Sequence, residues 1–151
     1  MFCFQCQETA KNTGCTVKGV CGKPEDTANL QDLLIYVLRG IAVYGKKASE
    51  LGISNKDNGL FAAQALFTTI TNANWDNDRF FAMIKEGLKR REALKDKFLA
   101  AYKEKYGKDF DEELHHSATW SRMTCPSLNK RPNRSASLPQ RTKMFDLSGS
   151  C

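Results

Sequence analysis

An all-α fold is what this chain of 151 residues predicts: an N-terminal four-cysteine loop, then an antiparallel three-helix bundle, then an irregular tail. Three observations carry the prediction. Apolar residues from 30 to 102 recur three and four apart, the spacing of one helix face. Short polar segments with turn chemistry separate those runs, and no alternating strand pattern competes. Composition then breaks near residue 120, past which prolines and basic residues concentrate. The chain divides accordingly into a loop over residues 1–25, a bundle over 26–120 and a basic, Pro- and Ser-containing tail over 121–151.

The first segment, MFCFQCQETAKNTGCTVKGVCGK, places Cys3, Cys6, Cys15 and Cys21 in the pattern C-x2-C-x8-C-x5-C. The next cysteines are Cys125 and Cys151, both in the tail. Gly22-Lys23-Pro24 reads as a turn, with Asp26 and Thr27 as candidate N-caps of the first helix. Leu30, Leu33, Leu34, Val37, Leu38 and Ile41 line one face, and Ile35, Tyr36, Val43 and Tyr44 add apolar residues on others. Between residues 30 and 44 only Asp32 and Arg39 are charged, so this helix is expected at the centre. A second helix covers Leu60 to Ile70 and stops at the turn-forming Thr71-Asn72-Ala73-Asn74. A third is expected from near Asp76 to about Tyr106. Phe80, Phe81, Ile84, Leu88, Leu94, Phe98, Leu99 and Tyr102 are its apolar positions, and Gly107 is its C-cap. The predicted interior comprises Leu33, Leu34, Val37, Leu38, Ile41, Phe67, Phe81, Ile84, Leu88 and Phe98.

A net charge of +6 suggests nucleic acid until its distribution is examined. Residues 1–120 carry 17 Lys and Arg against 16 Asp and Glu. The tail carries Arg122, Lys130, Arg131, Arg134, Arg141 and Lys143 against Asp146 alone, so a basic-tailed nucleic-acid binder would owe its affinity to the tail. The eight basic residues from Lys85 to Lys105 are interleaved with Glu86, Glu92, Asp96 and Glu104 and read as a solvated helix face. His115 and His116 are neighbours that point apart, so they read as surface residues and not as a metal pair. No apolar run approaches the roughly 20 residues that span a membrane. The N-terminus lacks the basic and apolar regions of a secretory signal. A cytoplasmic chain is expected, and in that reducing compartment clustered thiols serve metals or redox chemistry more often than disulfides.

Structural zinc usually takes two tight cysteine pairs. Here only the first pair is tight; the second is C-x5-C. Iron–sulfur clusters also take four thiolates and accept uneven spacing, because a cluster is larger than one ion. Gly14, Gly19 and Gly22 would let the backbone pass close and aim amides at sulfur. Phe2 and Phe4 flank Cys3, where they would exclude water from a metal site. The spacing favours an iron–sulfur cluster and leaves zinc, disulfides or free thiols open.

That opening segment, followed by ANLQDLLIYVLRGIAVYG and LFTTITNANWD, closely resembles the start of the hybrid-cluster proteins, also called prismane proteins, over roughly residues 1–120. The resemblance implies that Cys3, Cys6, Cys15 and Cys21 ligate a [4Fe–4S] cubane, members with longer gaps carrying [2Fe–2S] instead. It also implies a helical first domain and a cytoplasmic protein. The family reduces hydroxylamine to ammonia and is linked to nitric-oxide stress. The implied partners are a redox electron donor and the remaining domains of a full-length protein, with no nucleic acid and no membrane. Lys11, Lys18 and Lys23 would offer an acidic donor a landing patch, or simply keep the loop soluble.

The chain also departs from the pattern. Family members are several times longer, and their active centre is a second, oxygen-bridged iron–sulfur cluster held by Cys, Glu and His in later positions that have no counterpart here. The expectation is an electron-entry region with no catalytic residue, inactive on hydroxylamine by itself. The alternative is a zinc-stabilised helical binding module. Read one nucleotide earlier, the codons of Lys143-Met144-Phe145-Asp146 can encode Asp-Val-Arg, which resembles the family at this point. NKRPNRSASLPQRTK in the same frame can also become family-like. A frameshift near Ser121 is therefore expected, against the reading of a natural disordered tail.

Overall fold

The computed structural model describes residues 2–70 and 75–120. The turn expected at 71–74, the tail over 121–151 and its two cysteines lie outside the described residues. Among the described residues four α-helices follow one another: α1 (Glu25–Glu50), α2 (Lys56–Ile70), α3 (Asn77–Tyr106) and the short α4 (His116–Thr119). Among the described residues the only strand-like feature is a single bridge between two cysteines. The expected all-α architecture is the one observed.

α1 begins ahead of its predicted caps. Pro24 occupies the N-cap position with φ −68°, close to the value its ring imposes and already suited to a helix start. Asp26 and Thr27 consequently fall inside the first turn, where Glu25 and Asp26 face the positive end of the helix dipole. The Thr27 hydroxyl instead donates to Asn77 Oδ1 at 2.8 Å, pinning the start of α1 to the start of α3. α2 starts at Lys56, a turn before Leu60, because the Asn55 carbonyl receives the Asn58 and Gly59 amides at 3.0 and 3.1 Å. Its polar first turn carries no apolar period by which to recognise it. α3 has both expected ends. Asp76 accepts the Arg79 amide at 3.1 Å, and Gly107, at φ 66°, donates to the Lys103 carbonyl at 2.9 Å.

Pairwise contacts fix the helix directions. A Cβ on Gly87 would lie 2.8 Å from Val37 Cγ1, so the close approach of α1 and α3 requires glycine there. Further along, the rings of Tyr44 and Phe98 are 6.2 Å apart. α1 and α3 therefore run the same way. α2 runs opposite to both: Phe61 in its first half lies under Arg90, 4.8 Å away, and Thr68 near its end meets Met83. Beyond Gly107 the chain folds back. Phe110 packs edge-on against Phe98 and Tyr102, at 5.0 and 5.1 Å. α4 then inserts Ser117 and Ala118, and Trp120 stands edge-on to Tyr36 at 5.9 Å.

Leu33, Leu34, Val37, Leu38, Ile41, Ile84 and Phe98 are buried as expected, with Phe81 and Leu88 half-buried against them. Phe67 is not inside; it is 63% exposed. α2 meets the bundle through Ala65 and Thr69, small residues that permit close approach, and turns Leu60, Leu66, Phe67 and Ile70 outward. Arg91 is the second correction. It is 1% exposed and not part of a solvated face. Its Nη1 donates to the Ser117 carbonyl at 2.9 Å, and Nε and Nη2 donate to Glu92 Oε1 at 3.1 and 2.6 Å. The rest of that face behaves as predicted, with Glu86–Arg90 and Glu92–Lys95 ion pairs. His115 and His116 are exposed; His116 Nδ1 is hydrogen-bonded to the Tyr36 hydroxyl, and His115 Nδ1 accepts the Ser117 amide. No helix among the described residues is long and apolar enough to cross a membrane.

Candidate metal centre

The cysteine loop sits at the end of the bundle where α1 and α3 start and α2 finishes. Its base is an antiparallel bridge. The Cys3 amide donates to the Cys15 carbonyl at 2.9 Å, and the Cys15 amide donates back at 2.8 Å. Between them the chain reverses through a 3-10 turn, Ala10–Asn12, with Lys11 and Asn12 at φ 53° and 56° in the left-handed region. A second turn follows. The Gly19 amide donates to the Lys23 carbonyl at 3.0 Å and the Gly22 amide to the Gly19 carbonyl at 2.9 Å, with Cys21 exposed between them. A Cβ on Gly19 would stand 3.1 Å from Cys21 Sγ and 2.9 Å from Lys23 Cβ, so this turn closes only around glycine.

All four thiols are free. Cys15 is buried, at 4% exposure. Backbone hydrogen bonds at Ala10 and Val20 hold its thiol below the usual range; burial opposes them, and the charge of Lys23 adds to them. Cys6 lines a cleft of about 600 Å³ together with Phe2, Phe4 and Thr9, and the two phenyl rings are 5.4 Å apart. Among the described residues, no three His, Cys, Asp or Glu side chains are drawn round one ion. The donor set, four free thiols in one loop with hydrogen bonds at Cys15, suits a thiolate-held metal or cluster.

Sequence reasoning misjudged Lys23. Lys11 and Lys18 are exposed, but Lys23 is 1% exposed and cannot belong to a landing patch. Its Nζ lies 3.1 Å from Gln5 Oε1, 3.5 Å from the Thr69 carbonyl and 3.7 Å from Cys3 Sγ. It also stands over the Trp75 ring, 5.7 Å from its centre. No signal in the sequence around Lys23 marks it, because its partners lie at residues 3, 5 and 69.

Fold and loop together define a helical domain with a four-cysteine loop at one end. Residues 1–142 match the Prismane/CO dehydrogenase family. The chain belongs to that family. It is 69% identical over 121 residues to the hydroxylamine reductase of Nitratidesulfovibrio vulgaris and 60% identical over 120 residues to that of Halothermothrix orenii. Against a hydroxylamine reductase of Desulfitobacterium hafniense it is 56% identical over 121 residues. Each comparison covers 80% of this chain but only 22%, 22% and 21% of the relative. The chain thus spans about a fifth of the length of the curated relatives it matches. The family match reaches past residue 120 and takes in Cys125.

Proposed function

We propose that this chain is the N-terminal iron–sulfur electron-transfer region of a hydroxylamine-reductase-type hybrid-cluster protein, acting in the cytoplasm, where the whole protein reduces hydroxylamine to ammonia in the response to nitric-oxide stress. Cys3, Cys6, Cys15 and Cys21 hold a [4Fe–4S] cluster, which takes up and gives back one electron at a time. What supports this reading is that four free thiols belong to one loop and that the backbones of two of these cysteines, Cys3 and Cys15, pair in a bridge. Phe2 and Phe4 line the cleft beside Cys6, and the backbone hydrogen bonds at Cys15 favour its thiolate. The electron passes from an external donor to the remaining domains of the longer protein.

The test is metal analysis of the anaerobically prepared chain. About four irons and four sulfides per chain are expected. Cys15→Ser should lose or badly weaken the cluster, whereas Cys125→Ser and Cys151→Ser should leave it unchanged. One zinc per chain without sulfide would replace this reading by a zinc-stabilised module.

A further inference from the structure

We infer that Lys23 is a positioning residue of the thiol site: its buried ammonium ties Cys3 to the end of α2 and sets a fixed positive charge against that sulfur. The charge role rests on the cluster reading above; the tether rests on geometry alone.

An ammonium is costly to bury unless its charge and its hydrogens find partners. Lys23 has three acceptors within reach and an aromatic face. Gln5 Oε1 and the Thr69 carbonyl are neutral. Among these contacts only Cys3, as a thiolate, can carry a compensating charge. The Thr69 carbonyl belongs to the last turn of α2, where unpaired carbonyls form the negative end of the helix dipole. One side chain therefore joins residues 3–5, the start of α1 and the end of α2. That is a clip across the base of the loop.

The same placement has an electrical effect. Each electron delivered to a thiolate-held centre adds negative charge at its sulfurs. A cation 3.7 Å from Cys3 Sγ and shielded from water stabilises that charge far more than Lys11 or Lys18, which face solvent and are screened by salt. Hydrogen bonds to sulfur and local charge are established determinants of cluster potential. Lys23 thus makes the site easier to reduce.

The experiment uses the full chain as Lys23→Met, which removes the charge but keeps the length, with Lys18→Met as an exposed control. Hydrogen exchange of the Cys3 and Cys15 amides is measured on the metal-free proteins. Reduction potential is measured after anaerobic reconstitution with iron and sulfide. Lys23→Met should speed exchange of both amides at least tenfold and shift the potential downward, while Lys18→Met moves neither. Unchanged exchange overturns the tether. An unchanged potential at full cluster occupancy overturns the charge role. A parent chain that takes up no iron and sulfide sinks the cluster reading and the charge role with it, and exchange still decides the tether. If Lys23→Met loses its helices, Lys23→Arg is read in its place. Retained charge should then keep the potential at the parent value, and a fall refutes the assignment.

Discussion

Arg91 reaches from α3 towards α4, where it holds the Ser117 carbonyl and the Glu92 carboxylate at once. Burial pushes the Glu92 carboxyl up, but the hydrogen bonds and charge of Arg91, aided by Lys95, outweigh it and hold the group below its ordinary value of 4.5. The folded pKa is therefore lower than the unfolded one. Stability from this pair is fully present above about pH 4.5 and fades as pH falls through the folded value. Arg91→Met should cost about 2 kcal/mol at neutral pH through the lost charged hydrogen bonds. It should also flatten the acid limb of the stability curve, which denaturant melts across the acid range would show; an unchanged acid slope would remove Glu92 from the account. Arg91 and Lys23 were both illegible as interior cations for the same reason. Each is covered by a stretch distant in sequence, residues 115–120 for one and Gln5 with Thr69 for the other, and no property of its own neighbourhood announces that cover.

At the scale of elements, α1 and α2 make a controlled pair. α1 is apolar on several faces and nearly uncharged through its middle, so any centre-seeking orientation buries it, and its core positions were readable. α2 is also apolar around much of its circumference, which leaves its orientation undecided by period alone; packing chose Ala65 and Thr69. Val37→Asp and Phe67→Asp separate the two cases. Val37 is fully buried against Gly87, so an unpaired carboxylate there should cost several kcal/mol, near the lower end of a whole domain's margin. Phe67→Asp, at an exposed site, should change stability by no more than about 0.5 kcal/mol. Circular dichroism melts compare them directly, and a Val37→Asp chain that melts like its parent would contradict the bundle. Helix ends followed local rules at α3, where Asp76 and Gly107 act as read. At α1 a proline displaced two better hydrogen-bonding caps, because its backbone angle was already set.

For the molecule as a whole, the four-thiol loop and the family were legible from the opening motif, but the way the loop is built was not. Spacing reports which residues are near in sequence, whereas the Cys3–Cys15 bridge is made by amides and carbonyls that every residue possesses. Hydroxylamine reduction needs two electrons, protons and a metal with an open coordination position. Four thiolates leave a cubane none, and residues 22–120 contain no cysteine for a second centre. The reduced 151-residue chain is therefore expected to produce no ammonia catalytically from hydroxylamine; sustained ammonia release would relocate the active site into this region. The bridge also bears on how such a site assembles. Bringing two distant ligands together costs chain entropy that grows with the logarithm of the intervening length, and the backbone pairing of Cys3 with Cys15 offsets that cost. If the loop holds a cluster, Cys3 and Cys15 are the two corners whose separation the backbone itself fixes.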